Sequence, residues 1–353
     1  MAAYTTVNKA IDYFNTITYT GNGSTNAKTG VGFQPDWLWI KCRSNANGSV
    51  LFDALRSTNS LSSADTSAQA DRSGDGFTSL DSDGFTMNGS GSGGNLNVNS
   101  RTYAAWNWKA NGAGSANTAG TINSTVSVNT TAGFSIVKWT GNGVAGASIG
   151  HGLGVVPKTI MVKRLNDTAN WTVYHHKLGN THRLELNTDT ASTSDGGAWN
   201  NTSPTSTLFY TGNNLTVGNN GSNYIAYCFA EKRGYSKFGT YTGNGSADGT
   251  FIYTGFKPAC VIYKGVAGAN AVDNWEMVDN KRSTYNGVEN VLYPNLANAE
   301  GTGVVTRMDL LSNGFKMRTS GNDYNGSGQT YVFWAWAEST LVDSTGKIVA
   351  TAR

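Results

Sequence analysis

The word YTGNG stands at residues 19–23, returns as WTGNG at 139–143 and appears again as YTGNG at 241–245. A proline-led stretch follows each copy: GFQPDWLWIK at 32–41, GVVPKTIMVK at 154–163 and GFKPACVIYK at 255–264. Next come VLFDALR at 50–56, WTVYHHKLG at 171–179 and WEMVDNKR at 275–282. An aromatic stretch closes each series: TYAAWNWKA at 102–110, NYIAYCFAE at 223–231 and TYVFWAWAE at 330–338. Four landmarks in one order, three times over, define a repeat. Its period, near a hundred residues, is that of a small domain and is too long for a solenoid repeat of about 20 to 50 residues. The units are placed at 13–110, 133–231 and 237–339. Residues 111–132, rich in small polar residues, read as a linker with one strand, and 1–12 and 340–353 read as terminal arms.

The period within each unit is that of strands. In YAAWNWKA, Trp106 and Trp108 share one face with Ala104, and Tyr103, Ala105 and Asn107 share the other. Tyr227 with Phe229, and Trp334 with Trp336, hold the same two places, as paired core aromatics would. Leu38 and Ile40 mark one face of the proline-led strand; Trp37, Trp39 and Lys41 lie on the other. Asn-Gly within TGNG predicts a type I′ hairpin turn, whose central residues need positive φ. Composition agrees, with 44 glycines among 353 residues and only 14% charged residues. Helix formers are scarce and turn formers abundant, so the chain is expected to be all-β, as three tandem antiparallel β-sandwich units of jelly-roll or lectin-like type.

Charge and pattern narrow the chemistry. The net charge of +3 is spread without clusters of Lys and Arg, so no nucleic-acid partner is expected. No apolar run reaches the roughly 20 residues of a membrane helix, and the opening residues lack a secretory pattern, so synthesis and folding in a cytoplasm are expected. Cys42, Cys228 and Cys260 fit buried free thiols. His175, His176 and His182 lack the companions of a zinc site, and Asp81-Ser82-Asp83-Gly84 reads as a turn, so neither metal nor cofactor is expected. Asp53 with Arg56, and Asp279 with Arg282, are spaced as ion pairs of modest value. Carboxylates suited to glycosidase chemistry do not stand out, and Glu231 and Glu338 occupy equivalent strand ends. Recognition by aromatic side chains is the remaining possibility. Trp37, Trp39, Lys41, Trp171, Trp199 and Trp275 are the candidates for contact with a glycan or a protein.

The runs DYFNTITYTGNG, GVGFQPDWLWIK, YAAWNWKA, GHGLGVVPKTIMVK, YIAYCFAE and LSNGFKMR together resemble a group of virion-associated proteins common in marine bacteriophage genomes. The resemblance covers nearly the whole chain and brings no catalytic residues with it. It implies a particle component and little more. Taken with the low charge and repeated β units, the expected role is that of a virion protein on the particle exterior, a tail-fibre or tail-tip adhesin or a capsid decoration protein, acting by binding without catalysis. Other virion proteins and a host surface glycan are the implied partners, and a homo-oligomer is expected. The alternative is a tail-associated polysaccharide depolymerase.

Overall fold

A computed structural model describes residues 5–89, 95–268, 273–283, 285–301 and 305–340. The fold is all-β, built from antiparallel sheets with a single four-residue α-helix, Asn322–Asn325, among the described residues. Each third of the chain forms one main sheet in which an opening strand, the closing aromatic strand, the proline-led strand and a fourth strand lie in that spatial order. In the first third these are Phe14–Thr20, Thr102–Trp108, Trp37–Cys42 and Val50–Asp53. In the second they are Phe134–Thr140, Asn223–Phe229, Thr159–Arg164 and Thr172–His175, and in the last Ser236–Thr242, Thr330–Thr340, Phe256–Ala267 and Glu276–Asp279. A smaller sheet accompanies each: Asn26–Lys28, Gly84–Met87 and Ser79–Asp81; then Ala147–Gly150 and Leu208–Thr211; then Phe251–Tyr253, Gly314–Met317 and Met308–Leu311.

Strand alternation gives every main sheet two apolar faces, and each has its own use. Leu38, Ile40, Tyr103 and Ala105 face the first unit's small sheet and pack with Phe77, Phe85 and Met87. Ile160, Val162, Tyr224 and Ala226 do the same in the second unit with Phe209 and Trp199. The opposite faces, bearing Trp37, Trp39, Trp106 and Trp108, then Met161, Tyr227 and Phe229, then Ile262, Trp334 and Trp336, all belong to one core shared by the three units. The equivalent residues Trp108, Phe229 and Trp336 meet there, with ring centroids 6.4, 5.3 and 5.1 Å apart around the triangle. Trp37 stacks on Tyr227 of the next unit at 4.5 Å. The units are therefore closed into a pseudo-threefold ring.

Two expectations about local structure are corrected. TGNG is not a type I′ hairpin: among its central residues only the second glycine takes positive φ, at Gly23 (68°), Gly143 (71°) and Gly245 (66°). The word carries the chain from the main sheet toward the small one and clips it to the loop before the closing strand. The first glycine makes this approach feasible, since a Cβ on Gly21, Gly141 or Gly243 would lie 2.3, 2.4 or 2.2 Å from a carbonyl oxygen of that loop. The asparagine side chain then accepts from the amide two residues on, at 3.0 Å for Asn22, 3.0 Å for Asn142 and 3.1 Å for Asn244. Residues 111–132 are also more than a linker. Ser115–Asn117 and Ser124–Asn129 extend the second unit's sheet, pairing onto the outer edge of Phe134–Thr140. Of the terminal arms, residues 1–4 and 341–353 lie outside the described residues, and Val7 and Ala10 are buried in the shared core.

The junctions repeat with the units. Gln69 N donates to Leu165 O at 2.9 Å, Ser192 N to Val266 O at 3.4 Å and Glu300 N to Arg43 O at 2.8 Å, so each unit bonds the next and the last returns to the first. The ion pairs expected to be modest are buried at 2.6 Å and are part of this ring. Asp53 accepts from the Tyr227 hydroxyl at 2.6 Å, and Asp279 accepts from Trp106 Nε1 at 3.0 Å. The third junction substitutes His175 for the acid and Leu178 for its arginine. Burial, and then neighbouring His176, push the His175 imidazole down to about 3, so it stays neutral beside Phe333. Among the described residues its Nε2 and the Nε1 of Trp334 have no hydrogen-bond partner. A neutral pair thus replaces a charged one as a unit. His175→Asp alone buries a carboxylate without its cation and is expected to cost about 3–5 kcal/mol of stability. His175→Asp with Leu178→Arg is expected to recover at least ~1 kcal/mol of that loss in guanidinium unfolding; a double variant no better than the sum of the singles contradicts this.

Candidate functional site

All six residues expected to offer contact surface are buried. For all but Trp199 the cause lies in the second apolar face of the main sheet, which the shared core consumes. Trp37 and Trp39 belong to that core, and Trp199 fills the second unit's own core, edge-on to Tyr174 at 5.6 Å. Trp171 Nε1 donates to Ser62 O at 2.8 Å and Trp275 Nε1 to Glu185 O at 2.9 Å, each reaching from its unit into the preceding one. Lys41 has equivalents in Lys163 and Lys264, and all three cap carbonyls. Lys41 Nζ donates to Asn47 O at 3.0 Å and Leu296 O at 2.6 Å, and Lys163 Nζ to Thr66 O at 2.8 Å and Ala169 O at 2.5 Å. Lys264 Nζ donates to Asp189 O at 2.8 Å and to Asp273 O. Burial pushes all three ammonium groups down to about 8. These are structural clamps between neighbouring units, and the expectation of a contact surface at the six positions is corrected accordingly.

The most perturbed acids lie in the third unit. Glu276 is buried on Glu276–Asp279, accepts from the Tyr263 hydroxyl at 2.5 Å and lies 3.8 Å from Arg307 Nε. Burial, with Asp323 and Asp273 nearby, raises its carboxyl to about 8 against the opposing pull of Arg307. Asp273 is raised to about 6, first by burial and then by Asp323. The spacing of single Glu residues gave no hint of this cluster, because Asp273 and Glu276, though only three residues apart, are joined by Tyr263, Arg307 and Asp323 from other stretches of the chain. Among the described residues no group of three or more His, Cys, Asp or Glu is placed to hold a metal ion.

An open concavity of about 460 Å³ lies where the second and third units meet. Its floor is the opening strand Ser236–Thr242, whose outer edge is uncovered because that strand ends its sheet. His176 Nε2 is 2.8 Å from Phe238 O and fixes the second unit's turn against this edge. Phe251 and Tyr253, alternate residues of the small-sheet strand, form one wall and are 44% and 52% exposed. Lys158, Lys177 and Lys237 bring three cations to the same cleft, against the single carboxylate of Glu231, 3.9 Å from Lys237 Nζ. Sequence inspection passed over this site: its aromatics are ordinary Phe and Tyr, and its cations come from three separate stretches.

Fold and site define a class, an all-β ring of three internally repeated units with an aromatic and basic cleft at one junction. The chain belongs to a family described as a domain of unknown function (DUF7483), whose model matches residues 9–340. No curated protein and no solved structure matches it.

The acid cluster fixes a pH dependence. An unfolded glutamate releases its proton near 4.5, whereas folded Glu276 keeps it to about 8, so the stabilisation is present below the lower value and is lost as pH rises through the upper one. Wild type is therefore expected to lose stability relative to Glu276→Gln between pH 5 and 8 in denaturant titrations; parallel profiles contradict this.

Proposed function

We propose that this protein is a bacteriophage virion component displayed on the particle exterior, working by binding and without catalysis. It would serve either as an adhesin module of a tail fibre or tail tip or as a decoration protein of the capsid. Supporting this is the way the repeated letters are used. The recurrent aromatics, lysines and TGNG turns all serve the interior and the junctions, which leaves the variable outer loops to make contacts. A closed block with few charges suits a part that must persist outside a cell, and the resemblance to virion-associated proteins over nearly the whole chain points the same way. Its partners would be other virion proteins and a host surface glycan.

A second reading, a tail-associated glycan-cleaving enzyme, draws on one observation. Glu276 keeps its proton at neutral pH as a general acid must, with Asp273 and Asp323 beside it. Mapping the protein in imaged, purified particles tests the first reading. Many copies over the shell mark a decoration protein, a few at the tail mark host contact, and absence from the particle overturns the proposal. Reducing ends released from host polysaccharide by the wild type, and lost in Glu276→Gln, would establish the enzymatic reading in its place.

A further inference from the structure

We propose that the cleft between the second and third units binds a saccharide chain carrying carboxylate or sulfate groups. The inference deepens the binding function above by naming a site and a ligand class. Two outward rings on one strand face, Phe251 and Tyr253, stand two residues apart, about 7 Å along an extended strand. That spacing presents flat apolar faces to successive sugar rings. The strands that hold the same place in the other units, Asn26–Lys28 and Ala147–Gly150, carry no aromatic residue. Adjacent exposed aromatics rimmed by polar residues form an apolar patch of the kind that marks ligand-binding grooves. The cations give the partner its charge: Lys158, Lys177 and Lys237 outnumber Glu231, and burial first, then Lys158 and Lys177, hold His176 below its ordinary value.

The chain itself accounts for the opening. At the junction of the first and second units, Ser124–Asn129 pairs along the edge of Phe134–Thr140 and closes the corresponding side. Between the second and third units only residues 230–235 separate the closing strand Asn223–Phe229 from Ser236–Thr242, too few for a covering strand. The open edge of Ser236–Thr242 is also the geometry that accepts an added peptide strand. A sugar is favoured because His176 already takes the outward carbonyl of Phe238, interrupting the row of groups that a peptide would pair with.

Calorimetric titration of the full-length protein with oligogalacturonate, with a heparin-derived oligosaccharide and with neutral malto-oligosaccharide tests the proposal. Binding of at least one acidic chain, at least tenfold tighter than the neutral one and weakened by salt, is expected; the two acidic probes separate carboxylate from sulfate recognition. Phe251→Ala and Tyr253→Ala, both at exposed positions, are each expected to weaken it tenfold or more with an unchanged circular dichroism spectrum. Lys177→Gln with Lys237→Gln is expected to flatten the salt dependence. No binding of either acidic probe, or affinity unchanged in both aromatic variants, overturns the assignment. Capture of an acidic extended peptide in their place, lost in Thr240→Pro, overturns it in favour of strand addition. A protein found on the particle exterior that fails these titrations defeats the ligand assignment alone.

Discussion

Three equivalent side chains, Trp108, Phe229 and Trp336, meet on the pseudo-threefold axis, and the architecture depends on that meeting. Each lies on the closing strand of its sheet, flanked in register by the opening and proline-led strands: Trp108 by Phe14 and Trp37, Phe229 by Phe134 and Thr159, Trp336 by Ser236 and Cys260. The face they occupy is apolar in every unit and too large to leave in water. Small sheets cover only the opposite face. Closing three units around one core is the arrangement that buries all three inner faces together, and the hydrophobic term favours it over beads on a string.

Polar groups then settle how neighbours fit. The Asp53 and Asp279 carboxylates, each paired with an arginine of its own unit, accept from Tyr227 and Trp106 of the next. Lys41, Lys163 and Lys264 each cap a carbonyl of the preceding unit in the ring. Burying a charge is costly unless its partners are supplied, so such groups penalise any other docking of the units more than they add to net stability. His175 with Leu178 shows that a neutral pair also serves, which makes the geometry the shared requirement and the charge one solution to it. Function is thereby left to what the ring keeps outside: loops, strand edges and the open cleft between the second and third units.

Much of the fold was legible in the sequence. The aromatic pairs on the closing strands, the proline-led strands and the threefold recurrence are local signals, and the all-β architecture follows from them. The ring was not legible, because alternation shows that a strand has two apolar faces without saying what covers the second. The candidate site was misread for that reason. Trp37 and Trp39 lie with Lys41 on the face opposite Leu38 and Ile40, which suits a contact surface as well as an inter-unit core, and only the third dimension distinguishes them. TGNG was read as a hairpin because Asn-Gly carries that signal locally, whereas its first glycine answers to a loop some 75 to 85 residues away. Phe251 and Tyr253 escaped notice because a cleft is defined by what surrounds it.

The central claim is that the three units fold as one body around a common core. Scanning calorimetry of Trp108→Ala beside the wild type tests it most directly. A shared core predicts a single endotherm in both, with calorimetric and van't Hoff enthalpies agreeing, and a downward shift of the whole transition in the variant that corresponds to about 3–5 kcal/mol. Separate transitions, with only one component moved by the substitution, would show three independent domains and contradict the account.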